Sequence, residues 1–221
     1  SEQAAAALGV DPDKVEVIGD PKFDSLQPLK VEDRNRLRKT FLLKEDTPVW
    51  VAGSTHSGEE EIILNAHKQL REKYPDLILI LAPRRIERIN EVVALLQKKN
   101  LSFARRSSLE ISEPVILLDT MGELAKVYSL GQMAFIGKSL IEPGGGHSLI
   151  EPLSHGLTVL HGPHIENIGH VADEAHMNGL AFTVHNAEEI VKTVHSLLRH
   201  KERRMELAEK AKKLIEDQQG A

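Results

Sequence analysis

Leu77-Ile78-Leu79-Ile80-Leu81-Ala82-Pro83-Arg84-Arg85 is the stretch whose reading decides the fold. Its first six residues are apolar without a break, and Pro83 ends the run. A strand with one face in water alternates apolar and polar side chains. An unbroken run of this length is the pattern of a strand covered on both faces, as in a parallel sheet. Upstream, Gly58 to Lys73 sets Ile62, Ile63, Ala66 and Leu70 at helical spacing, and Val49-Trp50-Val51-Ala52 is a second buried strand ending at Gly53. Downstream, Ile86 to Lys99 is helical, with Ile89, Val92, Val93 and Leu96 inward. The alternation continues in both directions. Ser1 to Leu8 reads as a helix end, Val15 to Ile18 as a short strand and Val31 to Leu43 as a helix. Further strands are predicted at Leu101–Ala104, Val115–Leu118, Met133–Ile136, Leu157–Leu160 and Leu180–Thr183. Helices are predicted at Gly122–Ser129, from Ser148, at Glu166–Met177, after an Asn186 cap, and at Lys201–Asp217. Six or seven strand–helix alternations with short connections predict one α/β domain, a Rossmann-like parallel sheet with helices on both faces.

The bulk numbers exclude several classes. The chain has 221 residues, 41% hydrophobic and 28% charged, ordinary for a globular chain. Its formal net charge of -5 argues against nucleic acid as a partner. The absence of Cys excludes disulfides and zinc–thiolate sites. The longest apolar run, Leu77 to Ala82, is far short of the ~20 residues that span a bilayer. No signal peptide is visible. The chain starts at Ser1 rather than Met, and a fragment of a longer protein is expected.

Ligands of such sheets bind beyond the carboxyl ends of the strands, and four predicted strand ends carry chemistry. They are Gly53-Ser54-Thr55-His56-Ser57-Gly58-Glu59-Glu60, then Pro83-Arg84-Arg85, then Asp119-Thr120-Met121-Gly122-Glu123-Leu124. The fourth is Ile141-Glu142-Pro143-Gly144-Gly145-Gly146-His147-Ser148-Leu149-Ile150-Glu151-Pro152. Three successive glycines allow close backbone approach to a ligand. A helix start behind them, with Ser148 as cap, offers unpaired N–H groups to a phosphate or carboxylate. Glu151 falls one turn inside, on the face of Ser148. Each stretch has a plainer reading: Ser54-Thr55 as a helix cap, Arg84 as a solvated charge, Gly122-Glu123 as a helix start, and the glycine run as a turn that binds nothing. Together they supply amides and a guanidinium for phosphate, carboxylates for ribose hydroxyls and main chain for a base, which suits a nucleotide. His161 and His164, with His155, His170 and His176 nearby, lack an acid–His signature, and no metal site is expected.

These motifs, with Tyr128 after the third and His161-Gly162-Pro163-His164-Ile165-Glu166-Asn167-Ile168 after the fourth, resemble the Kdo transferases of lipopolysaccharide synthesis. Kdo is 3-deoxy-D-manno-oct-2-ulosonic acid. The resemblance runs from Ser1 to roughly Phe182 and covers the C-terminal half of that family. It implies a GT-B glycosyltransferase, with residues 1–221 as its donor nucleotide-binding domain. It also implies that Kdo passes from CMP-Kdo to a lipid A precursor at the cytoplasmic face of the bacterial inner membrane. Membrane anchor, acceptor surface and catalytic base would belong to the absent N-terminal half. The isolated chain would therefore bind CMP or CMP-Kdo without turnover, and touch a membrane only as part of the full-length protein. No cofactor is implied.

By the resemblance, Pro83 and Arg84 contact the nucleotide, with Arg84 stabilising the leaving phosphate, and Met121, Gly122 and Glu123 lie near it. Glu151 takes the ribose. Gly144, Gly145, Gly146 and His147 form the donor phosphate region, next to Ser54, Thr55 and His56. Ser148 stands where the family usually has Asn, and Asp20-Pro21-Lys22-Phe23-Asp24 where Asn-Leu-Lys-Phe-Asp is usual. The thin apolar stripe of Lys201–Asp217 fits a last helix that crosses back to the other domain. Two other classes stay open at this point: a GT-B enzyme or epimerase using a UDP-sugar, and a non-catalytic nucleotide-binding module.

Overall fold

The structure, a computed structural model, describes residues 29–218. The expected helix end at Ser1–Leu8, the strand at Val15–Ile18 and the Asp20–Asp24 stretch lie outside them. In chain order the elements are α1 (Val31–Thr40), β1 (Val49–Thr55), α2 (Glu59–Lys73), β2 (Ile78–Pro83), α3 (Ile89–Lys98), β3 (Phe103–Arg105), β4 (Val115–Leu117) and α4 (Leu124–Val127). There follow β5 (Met133–Ile136), α5 (Ile150–Ser154), β6 (Thr158–His161), α6 (Gly169–Met177), β7 (Ala181–Thr183), α7 (Ala187–Arg199) and α8 (Lys201–Glu216). The seven strands form one sheet in the order β3-β4-β2-β1-β5-β6-β7, and every pairing is parallel.

The strands lie where their unbroken apolar runs put them. Val49, Trp50, Val51 and Ala52 are fully buried, as are Leu79, Ile80 and Leu81. The chain winds one way through β2, β3 and β4, then jumps to the far side of β1 to add β5, β6 and β7. With right-handed crossovers this reversal sets successive helices on opposite faces. It also opens a crevice at the carboxyl ends of β1 and β5.

Some boundaries differ from the periodicity. The helix predicted from Ile86 begins as a 3₁₀ turn, Ile86–Arg88. The helix after the glycine loop starts at Ile150 and has five residues, so Ser148 lies outside it. Its hydroxyl still accepts the Ile150 N–H at 3.2 Å. Asn186 caps α7 as expected, accepting the Glu189 N–H at 2.9 Å. In α8 the stripe Leu207, Ala211 and Ile215 is buried. This helix packs on α5, α7 and β6 of its own sheet, while Met205 of the expected stripe is exposed.

Two buried polar networks hold the sheet to what surrounds it. Trp50 Nε1–H donates to His67 Nδ1 at 3.1 Å, so His67 carries its proton on Nε2 and donates to the Pro114 carbonyl at 3.0 Å. This ties β1, α2 and the entry to β4. Glu59, 1% exposed, heads α2. Its carboxylate accepts four backbone N–H bonds. His56 and Lys138 reach Oε2 at 2.8 and 2.9 Å, and Ser139 and Leu140 both reach Oε1 at 2.9 Å. One side chain thereby fastens the exit of β1 to the turn after β5.

Two outcomes follow from these networks. Glu59→Ala strands four amides and should cost about 3–5 kcal/mol of stability, in the range for a disrupted buried charged network, with Glu59→Gln costing less. Denaturant unfolding measures this, and a loss under 1 kcal/mol for Glu59→Ala would rule the role out. Burial lowers the His67 pKa to about 3, despite the bond to Pro114 that raises it. The unfolded chain therefore takes up this proton first. Stability is unaffected above the unfolded pKa near 6.5 and is lost as pH falls from there toward 3. His67→Gln should flatten that slope by up to about 1.4 kcal/mol per pH unit. Parallel pH profiles for parent and variant, from urea midpoints between pH 4 and 7.5, would contradict it.

Candidate functional site

The carboxyl ends of β1, β2, β4 and β5 meet at two adjoining cavities that share Ser54, Arg84 and Leu124. The first, about 140 Å³, is mostly apolar: Ala82, Pro83, Ile86, Leu118 and Met121 line it with Thr120 and Gly122. The second, about 240 Å³, is polar: Tyr128, His147, Ser148 and Glu151 line it beside Ala125.

Backbone geometry aims these side chains. β1 and β2 run in register to the pair Gly53–Ala82, then Thr55 faces Pro83, so Ser54 is an extra residue in the ladder. Its φ is +55°. A bulge of this kind re-aims a side chain at the end of a strand, and here Ser54 enters both cavities. A Cβ on Gly137 would stand 2.1 Å from the Ser54 carbonyl oxygen, so only glycine lets β5 approach the bulge. The Arg84 amide donates to the Thr55 carbonyl at 3.0 Å, which fixes the start of the loop after β2.

The electrostatics are asymmetric. The Arg84 side chain has no carboxylate partner among the described residues, whereas Glu151 is the one acid lining the polar cavity. Tyr128 is buried. Burial, then the charge of Glu151, pushes its pKa up, so the phenol stays protonated. His147 and His56 stack with Nε2 atoms 3.0 Å apart, one donating to the other. Burial, then the neighbouring His56, Arg84 and Lys138, lowers the His147 pKa to about 4. Burial also lowers that of His56. Both rings are neutral near pH 7.

Of the expected site residues, Ser54, Pro83, Arg84, Met121, Gly122, His147, Ser148 and Glu151 line the two cavities. His56 adjoins them through His147. Thr55, Glu123 and the three loop glycines do not line them. Thr55 is buried and donates to Glu60 at 3.0 Å. The Glu123 carboxylate accepts from Arg106 at 3.1 Å and from the Thr120 hydroxyl, facing the end of β3. Gly144, Gly145 and Gly146 are glycine for packing: a Cβ on them would meet His164, Asn167 and Ile168 at 2.1, 2.2 and 2.5 Å. The amides of Gly145, Gly146 and His147 already bond to the carbonyls of His164, Lys138 and Gly137. The loop N–H groups of Gly144, Ser148 and Leu149 have no hydrogen bond among the described residues, and of these residues Ser148 lines the polar cavity. Of the glycine amides expected to hold an anion, those of Gly145 and Gly146 are engaged within the protein and that of Gly144 is not.

Sequence reasoning missed Ile86, Leu118 and Leu124, which line the cavities. They carried a signal, since apolar residues flanked the motifs. Of the histidines noted around β6, His161 and His176 pair: His161 Nδ1–H donates to the Gly162 carbonyl at 2.7 Å, and its Nε2 accepts from His176 at 2.9 Å. Among the described residues no three His, Asp or Glu side chains are grouped to hold a metal ion. No described helix is long and apolar enough to cross a membrane.

Comparison with known proteins fits this geometry. The family described as glycosyl transferases group 1 matches residues 46–214. A 3-deoxy-D-manno-octulosonic acid transferase of Haemophilus influenzae is 38% identical over 98% of this chain and 51% of its own length. One of Chlamydophila psittaci is 31% identical over 97% and 49%. The chain thus spans about half the length of these relatives. The crystal structure of the C-terminal CMP-Kdo binding domain of WaaA from Acinetobacter baumannii superposes with a TM-score of 0.77 at 33% identity, covering 83% of this chain and 96% of that one. The chain belongs to the group 1 glycosyl transferases, with Kdo transferases as its relatives within them.

Proposed function

We propose that the paired cavities bind the CMP moiety of CMP-Kdo, and that the chain is the donor-binding part of an enzyme that transfers Kdo to the lipid A precursor lipid IVA. The observation that carries this reading is the division of one crevice into an apolar slot and a polar pocket with Arg84 between them. The slot of Pro83, Ile86, Leu118 and Met121 suits a flat pyrimidine. In the pocket Glu151 would accept hydrogen bonds from the ribose hydroxyls, while Arg84, Ser54 and the Ser148 and Leu149 amides would meet the phosphate. The names of the relatives and the structural likeness to a CMP-Kdo binding domain support the choice of nucleotide.

In the transfer, the bond between the anomeric carbon of Kdo and the phosphate oxygen breaks, and CMP leaves with the electron pair. The acceptor hydroxyl forms the new bond and gives up its proton to a base outside this chain. Negative charge grows on the phosphate as the bond breaks, so Arg84 and the two free amides stabilise the transition state more than the bound donor. Acceptor recognition and contact with the cytoplasmic face of the inner membrane belong to the rest of the enzyme. The 221-residue chain alone should bind donor without turnover, and measurable Kdo transfer to lipid IVA by the purified chain would refute this.

Hydrogen bonds to a charged group are worth roughly 1.5–3 kcal/mol. Glu151→Ala should therefore weaken CMP about ten- to a hundredfold, and Glu151→Gln less. Arg84→Ala should weaken CMP and spare cytidine, because its partner is the phosphate. Calorimetry with CMP, cytidine and UDP decides this. Unchanged affinities in Glu151→Ala remove its ribose role, and tighter binding of UDP than of CMP transfers the site to a UDP-sugar.

A further inference from the structure

Two cations near the His56–His147 stack have no carboxylate partner among the described residues, and CMP has only one anionic group to occupy them. The first is Arg84, which lines the polar cavity. The second is Lys138, which follows Gly137 in the turn after β5 and adjoins the cavity through His147, whose N–H donates to the Gly137 carbonyl at 3.2 Å. Its backbone φ is +61°, a conformation that costs an L-residue about 1–2 kcal/mol relative to glycine. The turn enforces it from both ends. The Lys138 N–H donates to Glu59 Oε2 at 2.9 Å, and its carbonyl accepts the Gly146 N–H at 2.7 Å. The oxygen that takes the Lys138 amide also takes that of His56, so the lysine leaves the backbone beside the His56–His147 stack. Lys138 is half-buried, and no carboxylate lies within salt-bridge distance of its ammonium among the described residues. Its charge, like that of Arg84, is felt by His147. Both neighbouring rings are neutral, so they add no third charge. Two cations without a carboxylate partner among the described residues, close to neutral hydrogen-bonding rings, suit a ligand with two anionic groups. A strained non-glycine residue held in place by its surroundings marks such functional positions.

We propose that Lys138 binds the carboxylate of the donor sugar, making the crevice selective for a nucleotide-activated sugar acid over the nucleotide alone. This deepens the CMP-Kdo reading and rests on it. In Kdo, a 2-ulosonic acid, the carboxylate sits on the same carbon that bears the phosphate oxygen. The two negative groups are therefore neighbours, so one crevice can meet both. A nucleotide-linked neutral hexose has no group for Lys138 and leaves it half-buried and unpaired.

The test is calorimetry with CMP and with a methylene-bridged, non-hydrolysable analogue of CMP-Kdo. The variants are Lys138→Gly and Lys138→Arg. Glycine suits φ +61°, so Lys138→Gly removes the charge while relieving the backbone, and it should keep a cooperative thermal transition. The parent should bind the analogue about tenfold or more tightly than CMP, as a charge-assisted hydrogen bond supplies. Lys138→Gly should bind CMP within about twofold of the parent and lose the preference for the analogue. Lys138→Arg should keep it. A Lys138→Gly chain that retains the preference overturns the proposal. So does one that loses CMP and the analogue equally, since Lys138 would then serve the phosphate. A parent chain that binds neither ligand fails at the donor cleft itself, a result separable from any failure of Lys138.

Discussion

The carboxylate of Glu59 is the constraint on which the crevice depends. An ionised carboxylate at 1% exposure is costly unless its lone pairs are filled. Four backbone amides from two separate loops fill them. Parallel sheets give their strand ends no mutual support, because every strand exits into its own loop. Here the exit of β1 and the turn of β5 converge on one acid at the start of α2. The reversal of winding at β1 makes a crevice available, and Glu59 turns that crevice into a fixed shape. It does so without entering the cavity, so the ligand-facing groups stay free for other work.

The same separation holds across the strand ends. Glu60 takes Thr55 and a two-pronged bond from Arg88 at 2.8 and 3.2 Å. Asp119 accepts the amide and hydroxyl of Ser107 at 2.8 and 2.6 Å, binding the end of β4 to that of β3. Glu123 is engaged by Arg106, whose guanidinium also lies over the Phe41 ring at 4.5 Å. The acids near the crevice are thus paired with protein groups, with Glu151 the exception in the polar cavity. Arg84, which lines the polar cavity, and Lys138, in the adjoining turn, have no such partner among the described residues. The overall net charge of -5 therefore says little about the charge at these strand ends.

The sheet was legible because apolar runs and helical stripes are local records of two-sided burial. Leu77–Leu81 needs no partner to be read as a covered strand. The strand ends were legible as places, since a parallel sheet puts its chemistry there. Individual side-chain directions were not. Thr55 and Ser54 are adjacent, and a one-residue bulge decides which of them meets the cavity. Nothing in Gly-Ser-Thr-His announces that bulge. The triple glycine reads as room for a ligand, yet the room is taken by His164, Asn167 and Ile168, residues some twenty positions on. Glu123 reads as a ligand acid, but Arg106 claims it from another strand. In each case the deciding partner is distant in sequence, which is why periodicity and motif spacing could not reveal it.

Positive backbone φ marks both sides of the β1–β5 junction. Ser54 and Lys138, at φ +55° and +61°, sit on either side of the β1–β5 junction. Each would be easier as glycine. The glycine of this junction is instead Gly137, where backbone meets backbone and no side chain fits. The fold therefore uses glycine where contact demands it and tolerates a hydroxyl and an ammonium where strain is the only penalty. At about 1–2 kcal/mol each, these two conformations persist because the Glu59 network and the Gly146–Lys138 bond over-determine the turn. The other two non-glycine residues with positive φ, Leu42 and Asn100 at +53°, follow α1 and α3, where a left-handed residue commonly ends a helix. Ser54 and Lys138 end no helix, and it is the packing of the β1–β5 junction that holds them.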